Sequence, residues 1–498
     1  MKAFWLKYVG ILLFLFVLAF FPEFSTAQNI LTIDDAMRIA LQNSPEIIKS
    51  ELGMTISREN LNAREASTKS LIKFQLTPYY YSQTRTFNDL FSTWNTNETQ
   101  KVYGDLIISQ PIKLTDGRLT LQNQLSYQDV YSDFSSTTSK GYSNNLFLEY
   151  SQPIFTYNKL KMELKQLRLD LENSTLSYAI QRLFLEQQVT QYFYLVYQRK
   201  MALQIAQDEL KNQETGYTII KSKVDAGLSA QEELLQGELN MATSRSNLQN
   251  AELNLANAKD DFRQYIGMSL SEDFDIETNI EYNEVQVELD KAIQNGLNTR
   301  MELRQREINI ENSEDQIIVA KATNEFSGNV DLSFGFFGEN SKFPDIYETP
   351  TRSPQFAVTF NIPIYDWGER KSRIKAAQAG KKIQEINLDN EKVNVELAIR
   401  KSYRNLQNLI LQIEIERQNE KNAQLTYDIN LERYRNGDLT SMDLNRYQNQ
   451  LSEKKMNLAN SLISYKLELI NLKIQSLWDF ENNISFVPVE YQENLINE

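Results

Sequence analysis

The side chains that carry most proton-transfer and nucleophilic chemistry near neutral pH are missing from this sequence. Its 498 residues include no histidine and no cysteine. That excludes disulfides, cysteine nucleophiles, zinc-finger spacings and every triad or metal site built on imidazole. What remains are 66 Asp and Glu side chains, suited to a glycosidase-type carboxylate pair or an oxygen-ligand cation site. A hydrolase would need two such acids converging in a cleft. No glycine spacing matches a phosphate-binding loop. The acids outnumber 52 Lys and Arg, and the net charge of −14 leaves no basic face for a nucleic-acid backbone. The expectation is therefore no catalytic residue, no cofactor, no metal site and no nucleic-acid partner.

The elements around these residues begin with an export signal at 1–27. Lys2 and Lys7 precede a charge-free apolar run from Val9 to Phe21, Pro22 ends it, and Ser25-Thr26-Ala27 supplies small residues for cleavage. Such a run is too short to span a bilayer as a helix, which takes about 20 residues. Without cysteine, lipoprotein acylation is excluded. No later stretch is apolar enough for a transmembrane helix, so the mature chain is either soluble outside the cytoplasm or a β-barrel.

Two segments, Asn158 to Ala226 and Glu369 to Asn436, contain no proline and one glycine each. Each predicts a helix of roughly 100 Å at about 1.5 Å per residue. Leu458, Leu462, Tyr465, Leu469 and Leu472 keep the alternating spacing of an apolar helix seam, as do Leu248, Ala251, Leu255, Ala258 and Phe262. Each long helix runs into a glycine turn: Gly227-Leu228-Ser229 and Gly437-Asp438-Leu439. Glycine past a helix end suits the left-handed cap, and Ser229 or Thr440 can cap the helix that follows. Gly227 and Gly437 lie 210 residues apart, as do Pro153 and Pro363, and Leu248 and Leu458. A shared offset of this kind marks an internal duplication. Upstream, Ala40-Leu41-Gln42-Asn43 resembles Ala292-Ile293-Gln294-Asn295 at an offset of 252, which leaves about 42 extra residues in the first copy. Ser109-Gln110-Pro111-Ile112 lies 42 residues before Ser151-Gln152-Pro153-Ile154, so the extra piece reads as a duplicated strand pair.

Strands fill the space between helices. Phe356, Val358, Phe360 and Ile362 alternate with Ala357, Thr359, Asn361 and Pro363, and Val330, Leu332, Phe334 and Phe336 with Asp331, Ser333 and Gly335. This is one apolar and one mostly polar face. Candidate strands are 74–86, 102–112, 118–131, 143–155, 329–338 and 355–365. Tyr and Phe crowd them from Tyr79 to Tyr142, as a membrane-interface girdle would. A sandwich with one buried face has the same strand pattern, and the export signal and helix lengths favour the barrel.

At this point the sequence resembles the TolC-like outer-membrane efflux protein family. The resemblance runs from about Leu31 to Trp478. It is carried by Leu31-Thr32-Ile33-Asp34-Asp35-Ala36, Ala40-Leu41-Gln42-Asn43-Ser44-Pro45, the strand-to-helix exits at Pro153 and Pro363, Asp366-Trp367-Gly368-Glu369-Arg370, and the two glycine turns. It implies a mostly α protein with a membrane β-barrel part: an internally duplicated protomer of strand pairs and long helix pairs. It implies a homotrimer with four strands per copy in one shared 12-stranded barrel above a periplasmic helical tunnel. Six candidate strands depart from four. The surplus pair is expected to extend a hairpin outside the membrane, the alternative being a barrel of 18 strands. The partners implied are the lipid bilayer, a periplasmic adaptor (membrane fusion protein) and an inner-membrane RND or ABC transporter. The function implied is a passive outer-membrane exit duct for drugs or toxic compounds. Alternatives are a type I protein secretion duct or, in a different class, a trimeric coiled-coil adhesin, which would lack amphipathic strands.

The resemblance also assigns roles at the turns. Gly227, Leu228, Ser229, Gly437, Asp438 and Leu439 become adaptor-contact tips. Tyr434 and Glu233 stand where a closing contact is made, and Asp443 where an acidic ring lines the aperture. Leu439 replaces an arginine bridge of some members, and Arg446 stands where a second acidic ring residue can occur, so the closing network should be thinner. The expected parts are a signal at 1–27, helices at 28–73, strands with an extra hairpin at 74–155, tunnel helices at 156–268, an equatorial segment with helices at 269–328, strands at 329–365, tunnel helices at 366–478 and a mobile acidic tail at 479–498.

Overall fold

The structure, a computed structural model, describes residues 30–276 and 282–488. The export segment and the last ten residues of the acidic tail lie outside them. The chain divides into two compact units. One takes residues up to 48, 181–292 and 398–486, and the other takes 49–180, 293–397 and the residues from 487 on.

Helices repeat in matched lengths. Helix α1 (Ile33–Asn43) and α5 (Leu289–Thr299) have 11 residues each, and α2 (Pro45–Ala66) and α6 (Met301–Ala322) have 22. Helix α3 (Lys159–Asp225) has 67 and α7 (Glu369–Asn436) 68, while α4 (Gln231–Ile266) and α8 (Ser441–Ser476) have 36 each. The duplication is real, and the downstream offset of 210 holds. The upstream offset needs correcting. Helices α1 and α5 begin 256 residues apart, so Ala36 matches Ala292, both fully buried, and the first copy carries 46 additional residues. Two small residues four apart fix that register: Ala36 and Ala40 match Ala292 and Gly296, all buried, whereas the similar Ala-Leu-Gln-Asn string would set Ala36 against the exposed Glu288.

Both long helices start from borrowed acceptors, because their first N–H groups have no partner within the helix. The Asp116 carboxylate accepts from the N–H groups of Lys159 and Leu160 at 3.2 and 3.3 Å. Asp366 accepts from those of Gly368 and Arg370 at 2.9 and 3.0 Å, and these bonds lower its pKa.

The strands β2 (Leu71–Asn88), β3 (Thr93–Ile112), β4 (Gly117–Ser132), β5 (Thr137–Ile154), β7 (Ser327–Asn340) and β8 (Thr351–Asn361) form one antiparallel sheet in that order. The surplus pair lies inside this sheet. Apolar side chains line one face and remain exposed, Ile72 at 68% and Phe356 at 70%, which a sandwich core would not allow. Pro78 cannot donate to the ladder, and the register slips there between Thr77 and Tyr80. The two exit prolines behave differently. Pro153 still pairs with Asn329 inside β5, whereas β8 stops at Asn361 before Pro363. Hairpin ends share a device. Gln110 Nε2 donates to the Thr68 and Pro111 carbonyls at 3.0 and 2.7 Å, and Gln152 Nε2 to those of Thr115 and Pro153, both at 2.7 Å. The hairpins β2–β3 and β4–β5 are thus copies of one unit.

A short parallel pair joins β1 (Ile30–Leu31) to β6 (Asp275–Ile276). The start of the acidic tail is docked, which corrects the expectation of a mobile segment from 479. Trp478–Asp479 (β9) pairs with Ile484–Ser485 (β10), Asp479 is buried with Lys473 at 3.0 Å, and Phe486 N–H reaches the Leu477 carbonyl at 2.9 Å.

Candidate functional site: the helix-turn tips

Glycine sets the geometry of both turns. Gly227 and Gly437 hold φ of 76° and 91°. In each, the glycine N–H returns to the third carbonyl before it and the next N–H to the fifth: Leu228 to Lys223 at 2.7 Å, and Asp438 to Arg433 at 3.0 Å. This is the paired cap that ends helices at a left-handed residue.

The following helices start on different caps. Thr440 caps α8: its Oγ1 accepts from Asp443 N–H at 3.2 Å and donates to the Asp443 carboxylate at 2.8 Å. Ser229 does not cap α4, whose N-cap is Ala230. It instead donates Oγ to the Glu233 carboxylate at 2.6 Å. Glu233 and Asp443 are therefore matching positions of the two copies, each an acid in a first turn bound by a hydroxyl beside it, where the helix dipole also favours negative charge. Arg446 lies 3.7 Å from Asp443, so charge at that level is partly offset, and its guanidinium rests on the Tyr447 ring at 5.1 Å.

Tyr434 is the centre of the tip. It is 2% exposed and packs with Ile220, Tyr427, Leu444 and Leu451, with Leu439 at the margin of the cluster. Its hydroxyl points to the Gly216 carbonyl at 3.5 Å and not to Glu233. Burial first, then the charge of Glu233, pushes its pKa up to about 12. Lys223 Nζ donates to the Tyr434 carbonyl at 2.7 Å and sits 4.9 Å over the ring. Beside Tyr434 is a cavity of about 20 Å³, room for one water, lined by Asn212, Gln213, Gly216, Asn445 and Gln448. Along the same helices amides pair between α3 and α8: Gln198 with Asn460 at 2.7 Å, Asn212 with Gln448 and Gln213 with Asn445, both at 2.9 Å.

Sequence reasoning singled out the turns and Tyr434 but missed Lys223 and the amide ladder. A usable signal existed for Lys223, which stands 210 residues before Arg433 in the last turn of the matching helix. Leu228 is 80% exposed at the extremity.

The raised Tyr434 pKa predicts an alkaline weakness. The folded state prefers the neutral phenol. The associated stability is complete below the ordinary value of 10.0, and is lost as pH rises from there through about 12. Between those pH values the melting temperature of the tip should fall less in Tyr434→Phe than in the wild type. Parallel curves would remove Tyr434 from the account.

Among the described residues no group of three or more acidic side chains stands close enough to hold a metal ion. A family model described as outer membrane efflux protein matches residues 36–268 and 292–474. No curated relative matches the chain. Several solved structures share the fold. The Campylobacter jejuni CmeC outer membrane channel superposes with a TM-score of 0.69 at 14% identity, covering 93% of this chain and 88% of that one. The Vibrio cholerae outer membrane protein VceC gives 0.66 at 12%, covering 89% and 95%. The open state of the Neisseria gonorrhoeae MtrE outer membrane channel gives 0.64 at 13%, covering 89% and 88%.

Proposed function

Because the chain belongs to the outer membrane efflux protein family, we propose that three copies form a passive exit duct in the outer membrane. Their sheets close one barrel, and their long helices form a periplasmic tunnel. The turns at 226–229 and 436–439 meet a periplasmic adaptor, and an inner-membrane RND or ABC transporter supplies the energy. The cargo is small molecules such as drugs or toxic compounds.

One observation carries this reading. The six-stranded sheet keeps an apolar face exposed and ends in two edge strands, β2 and β8. Open edges are not tolerated in hydrocarbon, so a sheet of this kind in lipid is closed by further copies. No helix among the described residues is long and apolar enough to cross a membrane. The test is fractionation of the full chain expressed in a Gram-negative host. Trimers extracted from the outer membrane with detergent are expected. A monomer, or a chain left in the soluble fraction, defeats the proposal.

Within that reading Glu233 and Asp443 face the tunnel end, the buried Tyr434 packs the turns that carry them, and Arg446 tempers the acidic ring. Replacing Tyr434 by Phe together with Glu233 by Ala should raise single-channel conductance in planar bilayers by at least about twofold, since a constriction dominates the series resistance. Unchanged conductance rejects the gate role.

A further inference from the structure

We infer that the surplus hairpin β2–β3 crosses the lipid beside the other four strands, so that the assembly closes as an eighteen-stranded barrel. This rests on the trimeric duct proposed above.

The first argument is register. Ile72 pairs with Ile108, Ile108 with Leu121, Leu121 with Leu148, Leu148 with Phe334 and Phe334 with Pro354. One apolar row therefore crosses all six strands without a step. A hairpin projecting beyond the membrane would carry polar residues at that level. Here Ile72 and Phe74 are 68% and 67% exposed, and their partners Ile108 and Leu106 continue the band. The opposite face is mostly polar at the same level, with Asp105 accepting from Gln122 and Gln124 at 2.9 Å each. Apolar-out and polar-in is the pattern of a water-filled membrane barrel.

The second argument is length. Strands β2 and β3 have 18 and 20 residues, at least as long as their neighbours and well above the roughly 9–11 that cross a bilayer. An aromatic contact also links the far ends of the two hairpins: Phe91 lies 5.3 Å from Phe134.

The third argument is closure. Six alternating strands leave β8 running opposite to β2, so β8 of one copy meets β2 of the next as an antiparallel pair, and the ring closes head to tail. Barrel diameter grows roughly linearly with strand number. Eighteen strands in place of twelve widen the barrel about 1.5-fold and its cross-section roughly twofold. Barrels of this size leave an aqueous channel, so hydrated, bulky solutes are the class that fits.

The absence of cysteine makes the test direct. Single cysteines are introduced by Phe74→Cys and Leu106→Cys in the surplus hairpin, by Leu332→Cys in β7 and by Leu90→Cys in the exposed loop after β2. Trimers are reconstituted in liposomes and treated with a membrane-impermeant maleimide. The Phe74→Cys and Leu106→Cys chains are expected to react at least about tenfold more slowly than Leu90→Cys, as Leu332→Cys does, because lipid covers them. If both react at the Leu90→Cys rate while Leu332→Cys stays protected, the hairpin lies outside lipid and the inference is overturned, with the trimeric duct intact. If Leu332→Cys also reacts quickly, or chemical cross-linking does not give three chains, the duct itself is rejected and this inference with it. Two positions in the hairpin keep the result readable should one variant fail to assemble.

Discussion

Arginine in place of Leu148 is expected to empty the outer membrane of assembled protein. Leu148 lies mid-strand on the apolar face, between Leu121 and Phe334, and is 43% exposed. A cation on the lipid face of a barrel costs about 2–4 kcal/mol near the bilayer midplane. At 1.4 kcal/mol per factor of ten, that is roughly 30- to 1000-fold for each copy. In the proposed trimer three copies share the barrel, so the effect compounds. The control is Ser333→Arg, one position off Phe334 on the opposite face, where Ser333 pairs with Glu149 and Gln355. It should assemble near wild-type levels. The readout is the trimer band of unheated outer membranes on a denaturing gel. Equal losses in both variants, or none in either, would contradict the two-faced sheet in lipid.

Tyr434→Ala carries the second large effect. Removing a buried aromatic from a packed cluster costs about 3–5 kcal/mol, the transfer and cavity contributions together. The loss should be local, because the neighbours Ile220, Tyr427, Leu444 and Leu451 all belong to the tip. Amide hydrogen exchange across 223–229 and 433–440 should accelerate roughly 100- to 4000-fold, with strand amides unchanged. Leu228→Ala, at an 80% exposed position, should alter stability by no more than about 0.5 kcal/mol. Equal exchange in wild type and Tyr434→Ala would mean that the ring does not hold the two turns together.

Much of this was readable in the residues. Runs free of Pro and Gly predict long helices, and Gly227 and Gly437 predict where they stop, because left-handed backbone leaves little choice. The strand faces were legible from alternation, but their ends were not. Residues 93–101 belong to β3 although Thr, Asn and Gln carry no apolar signal. There the ladder to β2 and β4 decides. The upstream register misled because four similar letters outweighed a pair of buried small residues, Ala36 and Ala40, that match Ala292 and Gly296. At the tips, Tyr434 and its surroundings come from segments some 200 residues apart, so its burial and the Lys223 bond to its carbonyl depend on packing that local spacing does not encode. The docked start of the tail was hidden for a similar reason: Asp479 reads as solvated until Lys473 and Asn482 are placed beside it.

In the barrel proposed here the copied hairpin also governs how calibre can change. Adding two strands restores the original chain direction, so Leu71, Ile154, Ser327 and Asn361 all stay at one rim, where the helices attach. A single added strand would leave one attachment at the wrong end. Growth in even steps therefore lets the mouth be re-gauged by gene duplication while the helix attachments are inherited unaltered.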